Sequence, residues 1–335
     1  MTGLVAAERG IGETPLVDVL PEFVVVAFAA VTHLADPWFL FGLLAVGYWF
    51  ATDRVAAAPR RAGATAIAVV TCAYAATALG KAWFAVPRPP GAVGPADVPT
   101  WLPGLLSAWY EAQVLSDGFG FPSGHATGGA AAYLALALAY DRAWTARKRL
   151  LAAGTVAVAV ALSRVVIRVH YVVDVLAGLA VGSGVVLGAL WLAGDPRIRR
   201  SEGRTADEGA GPDPRGATAG LDPTLPFLLA AVVSTGALAV AVTSGHTDEV
   251  VEAGIGIATG AGGAIGWRLI DGDEPPVPVR IAVPALAVTG GLWVGAYALA
   301  GTLPMTLAAT TAAVVVVVAL PALPDRIERL SGVRD

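Results

Sequence analysis

Ten apolar runs, several long enough to cross a bilayer, alternate with polar turns along this chain. Six occupy roughly residues 17–35, 38–52, 63–84, 124–141, 149–168 and 171–194; four more follow at 224–243, 248–270, 279–301 and 304–321. The pattern predicts an all-α, polytopic membrane protein with a six-helix core and about four further C-terminal helices. Asp36-Pro37 separates the first two runs, and proline there starts a helix more easily than it continues one. Those two runs read as two short helices or as a tilted, partly re-entrant pair. Between the sixth and seventh runs, Pro, Gly and mixed charges without apolar periodicity read as a linker. The expected division is a core over 1–195, a polar cytoplasmic linker over 196–223 and a membrane extension over 224–335.

Composition sharpens this picture. The 335 residues are 56% hydrophobic and 14% charged, against about 25% charged in soluble domains. Mean hydropathy is +0.67. A net charge of −4 and the lack of a long basic run argue against a nucleic-acid partner. The single cysteine, Cys72, excludes an intrachain disulfide and a thiolate-rich metal site, and reads as a buried small residue. The first twenty residues lack the basic start and cleavage site of a signal peptide, so they are expected to be retained. In the eighth run, Gly256/Gly260 and Gly262/Gly266 have the spacing that lets membrane helices pack closely.

Arginines set the expected orientation. Arg54, Arg60 and Arg61 lie in one loop, Arg142, Arg147, Lys148 and Arg149 in another, and Arg197, Arg199, Arg200 and Arg204 open the linker. Alternating crossings bring all three to one side, expected to be cytoplasmic, together with both termini. The loop 85–123, the turn near 168–171 and the acidic turn Thr247-Asp248-Glu249 then share the extracytoplasmic face.

The candidate chemistry gathers on that same face. Lys81 and Arg88-Pro89 end the third run, Pro122-Ser123-Gly124-His125 opens the fourth, and Ser163-Arg164…His170…Asp174 straddles the turn between the fifth and sixth. Lys81 offers a point charge and Arg88 a two-pronged contact to a phosphoryl group, although both also suit an interface. Ser123 fits an N-cap, and the helix N-terminus behind Ser123 and Gly124 presents N–H groups to an anion. His170 and Asp174, four apart, share a helix face, so the carboxylate can fix the imidazole tautomer and leave the other nitrogen as nucleophile. Arg168 reads as a further interface cation outside the site. His33, beside Asp36, reads as interfacial and His246 as solvated. Trp101, Trp109 and Tyr110 read as interfacial aromatics that could border a lipid entrance.

Taken together, these three motifs resemble the signature of the type 2 phosphatidic acid phosphatase (PAP2) superfamily, whose members also include vanadium haloperoxidases. The resemblance covers about residues 17–194 and leaves the linker and last four helices unassigned. It implies a phosphohistidine formed on His170, oriented by Asp174, with His125 as general acid for the leaving alcohol. It implies a phosphate clamp of Lys81, Arg88, Ser123, Gly124 and Arg164, and neither cofactor nor metal. The expected activity is that of an integral-membrane lipid phosphatase acting on a phosphatidate-like lipid or a polyprenyl diphosphate. Alternatives are a lipid phosphotransferase on the same scaffold and a non-enzymatic phospholipid-binding or transport protein. The expected partner is a lipid phosphate within the membrane, and self-association into a homo-oligomer is left open.

Overall fold

The computed structural model describes residues 19–199, 218, 220–270, 279–299 and 302–322. Both chain ends and most of the polar linker, all assigned to the cytoplasmic side by the sequence, lie outside the described residues. Among the described residues there are eleven helices longer than one turn and no strand. They are α1 (Glu22–Val31), α2 (Pro37–Phe50), α3 (Pro59–Phe84), α4 (Gly104–Val114), α5 (Gly124–Ala139), α6 (Ala146–Val166), α7 (Val172–Leu192), α8 (Thr224–Ser244), α9 (Thr247–Ile270), α10 (Val279–Leu299) and α11 (Leu303–Ala319).

Each of the ten apolar runs carries one helix, and α4 is an addition within the loop 85–123. Local signals set the boundaries. Pro37 and Pro59 stand in the first turns of α2 and α3. Ala85 closes α3 in the left-handed region, at φ 48°. The Ser123 side chain accepts from Ala126 N–H and starts α5.

Among the described residues, six helices are individually long and apolar enough to cross a membrane: α3, α6, α7, α8, α9 and the stretch Leu303–Ala322. The first two apolar runs form one path bent by 48°, which adds a seventh span if it crosses once. Asp36 sits at the elbow with extended backbone, so the helix cannot run through it. The bent pair expected for residues 17–52 is thus what the structure shows. Trp101 Nε1–H donates to the Glu22 carboxylate at 2.7 Å, which puts the start of α1 beside the loop 85–123. The described chain therefore begins at the end opposite the arginine loops, not among them.

Those arginine loops do converge. Arg142 donates to Asp53 O at 2.9 Å, and its backbone N–H bonds Val55 O. Arg61 donates to Leu221 O at 3.1 Å, and Ala58 N–H to the Thr218 hydroxyl. The described ends of the linker are thus packed onto the core, with Asp195, Thr218 and Leu221 buried.

Close helix contacts hold the other end in register. A Cβ at Gly178 would lie 2.7 Å from Ser123 O, and one at Gly182 would lie 2.4 Å from Thr127 O, so α7 runs against the backbone of α5. The extension joins the same apolar core. Leu40, Val69 and Val160 share a buried cluster with Phe227, Trp267 and Val318. The two glycine pairs of α9 face different partners: Gly256 and Gly260 meet α8 at Ser234 and Phe227 O, while Gly262 and Gly266 meet α11 at Thr311 O and Val318.

Candidate active site

The geometry is set first by a tight turn. After α6, Arg168 adopts a left-handed φ of 62°. Val169 N–H and His170 N–H then both reach back to Arg164 O, at 3.1 and 3.2 Å. The turn leaves Arg168 outside, exposed, and drives Val169 and His170 inward, where both are buried. Helix α7 begins two residues later, with Asp174 in its first turn. Asp174 accepts from Tyr171 N–H at 3.0 Å, and the same oxygen lies 3.4 Å from His170 Nδ1.

Arg88 holds the other side of that ring. Its guanidinium lies 2.9 Å from His170 Nε2 and donates to Val169 O at 3.2 Å and to Asp117 O at 2.9 Å. Because a guanidinium only donates, Nε2 is the accepting nitrogen and the imidazole proton sits on Nδ1, facing Asp174. Burial pushes His170 well below the usual histidine range, reinforced by Arg88, Arg164, His125 and Lys81. Arg88, Arg164, His125 and Lys81 therefore lie within electrostatic reach of one imidazole. Burial also lowers Arg88, and Glu252, Asp174, Glu249 and Asp117 oppose that shift.

His125, in the first turn of α5, pairs with a residue the sequence reading left outside the site. Its Nε2 is 3.0 Å from Asp36 at the α1–α2 elbow. The Asp36 carboxylate also lies 2.5 Å from His33 Nδ1 and accepts from Trp38 Nε1 at 2.9 Å. His33 Nε2 in turn accepts from Trp109 at 2.8 Å. The run Trp109–His33–Asp36–His125 is a connected chain of hydrogen bonds, so His33 does more than anchor an interface.

The remaining cations approach from two sides. Arg164 is buried and donates to the Thr32 hydroxyl at 2.6 Å; its Nε has no hydrogen-bond partner among the described residues. Lys81 Nζ reaches both carboxylate oxygens of Glu252, on α9, at 3.1 Å each. Ser123 is fully buried; its N–H bonds Asp174 O at 3.1 Å while its hydroxyl caps α5. Gly124 follows at the α5 N-terminus and packs near the Thr77 methyl. Among the described residues no three His, Cys, Asp or Glu side chains gather as a metal set. His246 is not simply solvated: its ring packs edge-on against Phe119 at 4.7 Å.

Four residues near the site were not assigned to it from the sequence: Thr32, Asp36, Glu249 and Glu252. A signal did exist for Asp36, a lone carboxylate between two apolar runs, where ionisable groups are functional candidates by default. Glu252 carried the same signal more weakly, three residues beyond Glu249 on one helix face.

Comparison with known proteins follows the same outline. No curated protein sequence matches the chain significantly. A solved structure, that of a transmembrane PAP2-type phosphatidylglycerolphosphate phosphatase from Bacillus subtilis, aligns at 21% identity with a TM-score of 0.38, covering 57% of this chain and 83% of that one. The family model described as the PAP2 superfamily matches residues 62–198. That stretch holds all three motifs, while Thr32, Asp36 and Glu252 lie outside it. Through residues 62–198, about two fifths of the chain, it is the PAP2 superfamily that this sequence resembles.

Proposed function

We propose that the protein is an integral-membrane lipid phosphatase that hydrolyses a phosphomonoester or diphosphate of a lipid through a phosphohistidine on His170. The observation that carries this reading is the His170 imidazole, buried and neutral, with its proton toward Asp174 and its Nε2 lone pair under the Arg88 guanidinium. An anionic phosphoryl group approaching Arg88 takes over those N–H donors and arrives next to the lone pair. Nε2 then attacks phosphorus and the bond to the leaving oxygen breaks. His125 gives the leaving oxygen a proton, so a phosphomonoester releases a neutral alcohol and a diphosphate releases the lipid monophosphate. In the second half His125 takes a proton from water, the resulting hydroxide attacks phosphorus, and the P–N bond breaks to restore His170. Lys81, Arg88 and Arg164 neutralise the equatorial oxygens, and Arg164 Nε, a buried donor with no partner among the described residues, suits that task. The Gly124 N–H at the α5 N-terminus adds a backbone donor. Asp174 and Asp36 act as positioning residues for the two histidines. In this scheme the residues themselves supply the charge and proton transfers, and no metal is required.

A lipid substrate is supported by where the site sits. Lys81, His125 and Arg164 lie at the ends of apolar helices, and exposed Trp38, Trp83 and Phe84 flank them as an interfacial belt would. The arginine-bearing loops gather at the opposite end, which favours an extracytoplasmic site. The test is phosphate release by detergent-purified protein from phosphatidate, phosphatidylglycerol phosphate and polyprenyl diphosphate with EDTA present. Release that His170→Ala abolishes supports the reading; no release from any of the lipids by folded protein refutes it.

A further inference from the structure

The C-terminal extension reaches the site, and it does so with negative charge. Helix α9 begins at Thr247, and its first turns lie against the loop that carries Arg88. His246 packs on Phe119, and Glu249 Oε1 lies 3.5 Å from where a Gly118 Cβ would be. One turn further on, Glu252 grips Lys81 with both oxygens. The Lys81 side chain is 11% exposed and that of Glu252 52%, so Glu252 covers the ammonium from the open side. Glu249 is 3% exposed, and its Oε2 has no hydrogen-bond partner among the described residues. A buried, unpaired carboxylate oxygen is costly, so the fold holds it there against a penalty. Glycines make the approach possible: without side chains at Gly256 and Gly260, α9 comes close to α8 and presents its first turn to Lys81.

The consequence is electrostatic. Three cations suit a phosphoryl group and would suit a more highly charged diphosphate better still. One of them is already engaged by a carboxylate, and a second carboxylate stands on the same side. A monoester needs only its own charge neutralised by Arg88, Arg164 and a shared Lys81. A second phosphoryl group lodged toward α9 meets like charge. We propose that Glu252 and Glu249 make the extension a specificity wall that favours lipid phosphomonoesters over lipid diphosphates. This proposal rests on the phosphatase reading above and assigns the extension a role at the same site.

The experiment uses the full-length protein in detergent micelles with farnesyl monophosphate and farnesyl diphosphate, which share the lipid chain and differ in charge and leaving group, so each variant is read as its substrate ratio relative to wild type. Wild type should turn over the monophosphate with the higher kcat/KM. Glu252→Gln should raise the diphosphate-to-monophosphate ratio of kcat/KM by about tenfold, the scale of one like-charge contact at a partly solvated site. Glu249→Gln should shift the ratio in the same direction. An unchanged ratio in both variants, or an equal fall on both substrates, overturns the proposal and makes α9 a packing element. A second readout does not need turnover: protection against thermal unfolding by pyrophosphate relative to inorganic phosphate should improve in Glu252→Gln. Wild type that hydrolyses neither substrate refutes the phosphatase reading, and the protection ratio then still decides whether the wall discriminates by charge.

Discussion

Asp36→Asn is the sharpest perturbation outside the family motif. The carboxylate is close to three ring nitrogens, at 2.5 Å from His33, 2.9 Å from Trp38 and 3.0 Å from His125. Asparagine keeps the shape but offers a single acceptor oxygen and turns an NH2 toward at least one former donor. Only the His125 contact lies on the reaction path. A hydrogen bond to a charged group contributes about 1.5–3 kcal/mol. If that support is felt in the transition state, where His125 must hold and deliver a proton, kcat falls about 10- to 150-fold. KM should move little, because Lys81, Arg88 and Arg164 are untouched. The assay is steady-state phosphate release from a lipid phosphomonoester in mixed micelles, with kcat and KM resolved, alongside a thermal unfolding curve. A variant with wild-type kcat, or one whose defect lies wholly in KM, would refute the role assigned to Asp36. Trp109→Phe, which removes the outer end of the same chain, should show a smaller loss of kcat in the same sense.

Three further outcomes follow from the packing and charge. His170 is depressed well below the ordinary histidine value of about 6.5, so the folded protein keeps it neutral while the unfolded chain takes up a proton there. Stability should therefore fall as pH drops below about 6.5, and the limb of kcat/KM set by His170 should lie below that pH; a limb at or above it would contradict the assignment. Thr32→Val removes the buried acceptor of Arg164, should cost about 1–3 kcal/mol of stability by thermal or denaturant unfolding, and should raise KM by misplacing the guanidinium. Gly182→Ala forces a Cβ to within 2.4 Å of Thr127 O and should destabilise by about 1–3 kcal/mol while lowering activity, since it separates the helices that carry His125 and Asp174.

The sequence made local geometry legible and left long-range pairing obscure. Apolar run length and proline positions located the helices, because a helix in an apolar medium must satisfy its backbone internally and its ends need punctuation. The three motifs were readable because each is compact: His170 and Asp174 lie four residues apart, and Ser123 caps the helix that carries His125. Asp36 and Glu252 were not, because their partners are 89 and 171 residues away in the chain. Nothing in the spacing of α9 says which face of the core it meets. The elbow at Asp36 was visible as a break, yet whether the two halves cross separately depends on packing. The start of α1 beside the loop 85–123 likewise rests on a distant contact, Glu22 with Trp101.

The most direct test of the central claim is to trap the covalent intermediate. Full-length protein is mixed with a lipid carrying radiolabelled phosphate in the presence of EDTA, quenched within the first turnover in alkali and digested for peptide mapping. The account predicts an acid-labile, base-stable label on the peptide containing His170, absent from His170→Ala. Phosphate release at wild-type rate from His170→Ala, or label stable to acid on another residue, would contradict it.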